Sequence, residues 1–182
     1  YTMYQTMMGR DPRDDEVAFW QNYLDAGFTR NFVYEGFANS TEFGRICGNY
    51  GIVQGSYSER SYVDNHEQVT FFVARLYQTC LGRNPRTDEA EDWVRRLVEG
   101  SFGGREVAYG FFFSAEFQRQ NHSNTQYVRL LYQAFMDRVP TNAEAQDWVD
   151  RLNNGARRTF VFDGFAYSAE FRRICNAYGI EV

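Results

Sequence analysis

Apolar residues recur along this chain at the spacing of a helix. Val128, Leu131, Tyr132 and Phe135 recur at helical spacing, as do Val69, Phe72, Val73, Leu76 and Tyr77. That pattern gathers the apolar side chains on one face and predicts amphipathic helices. One should run from about Ser123 to Asp137, opened by a capping box of Ser123 with Gln126; its counterpart opens at Asn65 with Gln68. A second kind of stripe has a tryptophan at its centre. It appears as Val17, Trp20 and Leu24, as Ala90, Trp93, Val94 and Leu97, and as Ala145, Trp148, Val149 and Leu152. Each follows a proline (Pro12, Pro85 or Pro140), with Asp14, Thr87 and Asn142 as expected N-caps, and Gly27, Gly100 and Gly155 just past the end. A short third helix carries Val33 and Phe37, Val107 and Phe111, or Val161 and Phe165. It stops at Ser40, Ser114 or Ser168, each expected to cap a fourth helix whose first turn holds Glu42, Glu116 or Glu170.

The stripes are copies of one unit. MYQTMMGRDPRDDEVAFWQNYLDAG at 3–27 returns as LYQTCLGRNPRTDEAEDWVRRLVEG at 76–100 and as LYQAFMDRVPTNAEAQDWVDRLNNG at 131–155. GFANSTEF, GFFFSAEF and GFAYSAEF follow the three copies in turn. The expected fold is therefore all-α, built of tandem helical repeats of about four short helices each. Copies one and three end alike, in Tyr50-Gly51-Ile52 and Tyr178-Gly179-Ile180, whereas the middle copy runs straight into the next. Residues 65–121 and 122–182 thus read as a two-repeat module, and residues 1–52 as the closing repeat of a preceding one. The polar stretch 53–64 reads as the linker between them. Because the chain opens at Tyr1 inside a helical pattern, a longer parent protein with neighbouring domains is expected.

Composition narrows the function classes. Hydrophobic residues make up 43% of the 182, ample for a core, and aromatics reach 18%, so that core should consist largely of rings. No apolar run is long enough to insert in a membrane. With 24 acidic against 19 basic residues, all of the latter arginine, the net charge of −5 argues against nucleic acid. Three cysteines cannot all pair; Cys80 continues an apolar stripe, Cys47 and Cys175 occupy matching places, and none has the spacing of a metal site.

Candidate chemistry is sparse. His66 and His122 sit beside helix starts and do not recur with the recurring serines, and no nucleophile elbow, zinc-helix motif, phosphate loop or dinucleotide fingerprint occurs. The cluster Asp11, Asp14, Asp15 and Glu16 lacks the Gly and Glu of a calcium loop. Trp20, Trp93 and Trp148 lie on apolar stripes, which makes them core rather than sugar platforms. Arg10, Arg83 and Arg138 recur before each proline turn, and Glu42, Glu116 and Glu170 recur in each fourth helix; the three are expected to pair in that order.

The run of Tyr77, Gly82, Arg83, Pro85, Trp93, Leu97, Gly100, Phe111, Ser114, Glu116 and Phe117, with its partners in the other copies, resembles the bacterial domain-of-unknown-function family numbered 4214. That family is similar to the linker domain of phycobilisomes. This chain departs from it at Arg13 and Glu16, Arg86 and Glu89, and Thr141 and Glu144, where Asp and Gly are common, and at Asp137, where Gly is usual. The resemblance implies a bacterial protein of the cell surface or exterior, beside binding and adhesive domains, and implies no catalytic residue; no cofactor or metal is expected.

The expected function is accordingly non-catalytic recognition of a carbohydrate or of an extracellular host or matrix protein. A structural scaffold or linker that assembles proteins is the alternative. The candidate binding residues are Tyr109, Phe112 and Phe113. The first and last copies have Glu35 and Asp163 where the middle has Tyr109, Ala38 and Ala166 for Phe112, and Asn39 and Tyr167 for Phe113. Tyr109 and Phe113 share a helix face, so the middle copy presents an aromatic face that either packs between repeats or meets a ligand.

Overall fold

The computed structural model describes all 182 residues, and they form helices with no strand, joined by short loops except for the longer irregular stretch between Asn49 and Tyr62. The first repeat opens with a π-helical turn at Tyr4–Met8 and continues as α1 (Asp14–Asp25), α2 (Arg30–Ala38) and α3 (Thr41–Asn49). The middle repeat contains α4 (Tyr62–Asn65), α5 (Glu67–Leu76) running into a second π-helical turn at Tyr77–Leu81, α6 (Thr87–Val98), α7 (Gly104–Phe112) and α8 (Ala115–Arg119). The last repeat is α9 (Asn124–Met136), α10 (Asn142–Asn153), α11 (Arg158–Ala166) and α12 (Ala169–Ala177).

The serine caps form as the sequence predicts. Backbone N–H groups of Phe43, Phe117 and Phe171 donate to the hydroxyls of Ser40, Ser114 and Ser168 at 3.1, 3.0 and 3.1 Å. Ser123 and Gln126 close their box at 3.2 and 2.9 Å. Two starts differ. The tryptophan helices are capped one residue earlier than Asp14, Thr87 and Asn142, at Arg13, Arg86 and Thr141. There the backbone N–H donates to the carboxylate of Glu16, Glu89 or Glu144 at 2.8, 2.9 and 2.8 Å. The glutamate three residues on decides the start, because it satisfies an N–H that the turn leaves free. Asn65 does not open α5 either. Ser61 and Asp64 cap the extra helix α4, and His66 (φ −122°, ψ 56°) breaks the chain before α5. The stretch read as a linker thus ends in a helical turn, with Val63 and Asp64 buried.

The middle and last repeats share a single core of 30 buried residues, in which Phe112, Phe117, Phe135, Phe165 and Phe171 are fully enclosed. The first repeat has a small core of its own, Tyr4, Met8, Val33 and Phe37. It joins the middle repeat through Phe28 and Tyr23, whose rings lie 5.3 and 5.2 Å from that of Phe71. The tryptophans are half-buried at the edges of these cores, at 5.3, 5.3 and 5.4 Å from Phe37, Phe111 and Phe165. All three cysteines are buried and unpaired, and burial pushes the Cys80 thiol up and that of Cys175 to about 12. No helix is long and apolar enough to cross a membrane.

Candidate ligand-binding site

The α7 helix of the middle repeat and α11 of the last lie side by side because they share Phe162. Its buried ring meets Phe112, Tyr109 and Phe113 at 5.7, 5.7 and 5.4 Å. Above this contact the helices part and leave an open groove of about 430 Å³. Phe102, Gly110, Phe162 and Ala166 supply apolar surface, Tyr109 and Tyr167 are the exposed rings, and Arg105, Glu106 and Asp163 are the polar groups.

Both tyrosines are held. Tyr109 is 49% exposed and stacks on Phe113 with centroids 4.4 Å apart. Tyr167 is 66% exposed, and the guanidinium of Arg105 sits 4.2 Å from its ring centre. That guanidinium is itself fixed, since its Nε donates to the carbonyl of Ala166 at 2.9 Å. Glu106 accepts the N–H of Gly103 at 2.9 Å and so caps α7, while the Asp163 carboxylate is exposed with no protein hydrogen bond. Rigid rings with two carboxylates and a guanidinium around them offer flat apolar faces and hydrogen-bonding groups at once.

The candidate residues therefore divide. Tyr109 is at the groove. Phe113 is partly buried and serves as the backing of Tyr109. Phe112 is corrected: it is 0% exposed and packs on Phe117 and Phe135 at 5.1 and 5.6 Å, so it touches no ligand. The reason is positional, because its counterparts Ala38 and Ala166 are buried as well. Sequence reasoning missed Tyr167, Arg105, Phe102, Glu106 and Asp163 as site residues. Tyr167 and Asp163 were visible only as counterparts of Phe113 and Tyr109, and pairing of the two repeats brings equivalent positions together around a single groove.

The recurring arginines follow their predicted pairing in two copies. Arg10 Nε donates to Glu42 at 2.7 Å and Arg83 Nε to Glu116 at 2.7 Å. Arg138 does not reach Glu170; it bonds Glu144 at 2.7 Å. The unforeseen partner is common to all three, since Arg10 also meets Glu16 at 2.8 Å and Arg83 meets Glu89 at 2.8 Å. In two copies one guanidinium thus binds two carboxylates and locks the proline turn to the fourth helix. These networks lie apart from the groove, and no cluster of three metal-ligating side chains occurs in the structure.

Set against known families, the model of the domain of unknown function DUF4214 matches residues 1–47, 54–121 and 108–175. The chain belongs to that family. The three tandem matches correspond to the three repeats, the second beginning inside the stretch that ends in α4. No curated protein and no solved structure matches the chain.

Proposed function

We propose that this DUF4214 chain is a non-catalytic binding module of a bacterial secreted or cell-surface protein, and that the groove between α7 and α11 takes a carbohydrate. The observation that carries this reading is the pair of exposed, backed tyrosines, Tyr109 and Tyr167, at one groove with Arg105 and Asp163. A sugar ring presents C–H groups on a face and hydroxyls around its edge. Tyrosine faces suit the first, and a carboxylate and a guanidinium suit the second. Rings already fixed by Phe113 and Arg105 lose little freedom on binding, which favours even a small ligand. A groove of about 430 Å³ lies within the range of small-molecule sites, and its concave shape suits an oligosaccharide better than the broad face of a host or matrix protein.

The test is a glycan array on the intact chain, followed by calorimetry with the best oligosaccharide. Tyr109→Ala with Tyr167→Ala should weaken that binding by about tenfold or more while the thermal midpoint stays in place. Silence across the array at millimolar sugar would remove the reading and leave the scaffold function.

A further inference from the structure

In the last repeat, α11 is covered by α7 of the middle repeat. Arg105 bonds the carbonyl of Ala166 at 2.9 Å, and the N–H of Gly104 donates to the carbonyl of Glu181 in the closing tail at 2.8 Å. Gly104 is needed for this approach, because a Cβ there would lie 2.6 Å from Cys175 Sγ. The glycine pair Gly103-Gly104 occurs in the middle repeat alone; the first and last have Thr29-Arg30 and Arg157-Arg158.

On the first repeat the same surface is taken by residues 54–60. The carbonyl of Ala38, counterpart of Ala166, accepts from Gln54 Nε2 at 2.8 Å, and so does that of Ser40 at 2.9 Å. Asn39 exchanges two hydrogen bonds with the Tyr57 backbone at 2.6 and 3.0 Å, the Tyr57 ring meets Tyr34 edge-on at 4.8 Å, and Arg60 bonds Glu35 at 3.0 Å. Tyr34, Glu35, Ala38 and Asn39 are the counterparts of Phe162, Asp163, Ala166 and Tyr167, the residues on the α7 side of α11. This segment has no regular structure, its contacts are mostly polar, and it covers the face incompletely. Ile52 is 62% exposed where its counterpart Ile180 is 5%, and Tyr50 is exposed where Tyr178 packs against Phe72 at 5.6 Å.

We infer that residues 54–60 are a displaceable strap on a docking face, and that the occupant of that face is a further repeat of the middle type, with Gly-Gly at the start of its third helix. A helix presenting such a pair would replace the strap's polar contacts and cover Tyr50, Ile52 and Val53, a gain in buried apolar area that the strap does not supply. A second copy of this chain does not fit the face, because its Gly104 is already filled by its own Cys175 and closing tail.

The decisive experiment places an added copy of residues 61–128 ahead of Tyr1, the counterpart of Arg129. With a diffusible oxidant such as copper phenanthroline added to take up the two electrons, Gly104→Cys in the unextended chain should form a disulfide with Cys175, which calibrates the contact. In the extended chain, Gly104→Cys in the added copy should form one with Cys47, within about tenfold of the same rate, while amide exchange across residues 55–60 rises by about tenfold or more. A calibrating disulfide without the second, and with the strap still protected, overturns the inference. An independent reading uses the unextended chain with Gln54→Ala and Tyr57→Ala. A strap predicts labelling of Cys47 about tenfold faster with helix content unchanged. Loss of helix content instead would mean that the segment belongs to the fold of the repeat, and would overturn the inference equally.

Discussion

One glycine in each repeat makes room for that repeat's tryptophan. A Cβ at Gly36, Gly110 or Gly164 would stand 2.2, 2.6 or 2.6 Å from the ring tip of Trp20, Trp93 or Trp148. The stripes correctly placed the tryptophans toward the core, yet their spacing said nothing of what the ring tips touch. The recurring Gly-Phe of GFANS, GFFFS and GFAYS was the available signal. Its phenylalanine fills the core, and its glycine makes room for indole. At Gly110, alanine would improve helix propensity by about 1 kcal/mol. Overpacking a rigid ring costs about 1–3 kcal/mol, so the clash should win. Gly110→Ala is expected to destabilise by about 1–2 kcal/mol in urea unfolding, and to be neutral or stabilising once Trp93→Leu has removed the ring. Equal cost in both backgrounds would show that the contact is not the reason for the glycine.

At the scale of the element, a helix start proved less legible than a helix. Apolar period located nearly every helix, whereas the N-caps of α1, α6 and α10 fell one residue early because the glutamate at the third helical position bonds the backbone N–H of the cap; only at α10 does the cap's own side chain join in, the Thr141 hydroxyl accepting the Glu144 N–H at 3.3 Å. The same Glu16, Glu89 and Glu144 hold the recurring arginines, so three positions at which the chain departs from the family pattern are the centre of a charge network. The glutamate stands six residues after the arginine in every copy, a spacing that is readable but means nothing until the proline turn folds it back. The last copy keeps less of the network, as Arg138 holds Glu144 without Glu170. The arginine bonds lower these carboxyls from their ordinary value of 4.5, to about 2 for Glu16 and Glu144, and lower Glu42, Glu89 and Glu116 as well. A carboxyl lowered in the folded state contributes stability that is fully present above its ordinary value and is lost as pH falls through the folded one. The thermal midpoint should therefore decline between about pH 5 and 2, more shallowly in high salt because the pairs are solvent-exposed. Arg83→Gln should flatten that decline by releasing Glu89 and Glu116 together, and an unaltered slope in this variant would detach the network from acid sensitivity.

At the scale of the whole molecule, repetition alone announced three units, but their unequal partnership came from the structure. The middle and last repeats merge into one core, and the groove between α7 and α11 exists only because they do. The first repeat keeps a core of four residues, too small to be expected to stand alone, and leans on the middle repeat through a junction that the sequence showed as a polar linker. The centre of the junction is Asp64, 2% exposed. It accepts the N–H and hydroxyl of Thr29 at 2.9 and 2.6 Å, and the N–H of Ser61 at 2.9 Å. Beside it Gly27, at φ +95°, fits so closely that a Cβ would lie 3.1 Å from that of Ala90. Asp64→Ala leaves two backbone donors without partners at a covered site, and should cost about 3 kcal/mol. The loss belongs to the junction and not to the shared core, so it should appear as early amide exchange in α2 while α9 keeps its protection. Ser61→Ala is the control, since it removes a cap of α4 but leaves both bonds from Thr29 to Asp64, and α2 should stay protected in it. Equal acceleration of exchange in α2 and α9 by Asp64→Ala would instead make the three repeats one cooperative unit, with the junction no weaker than the core.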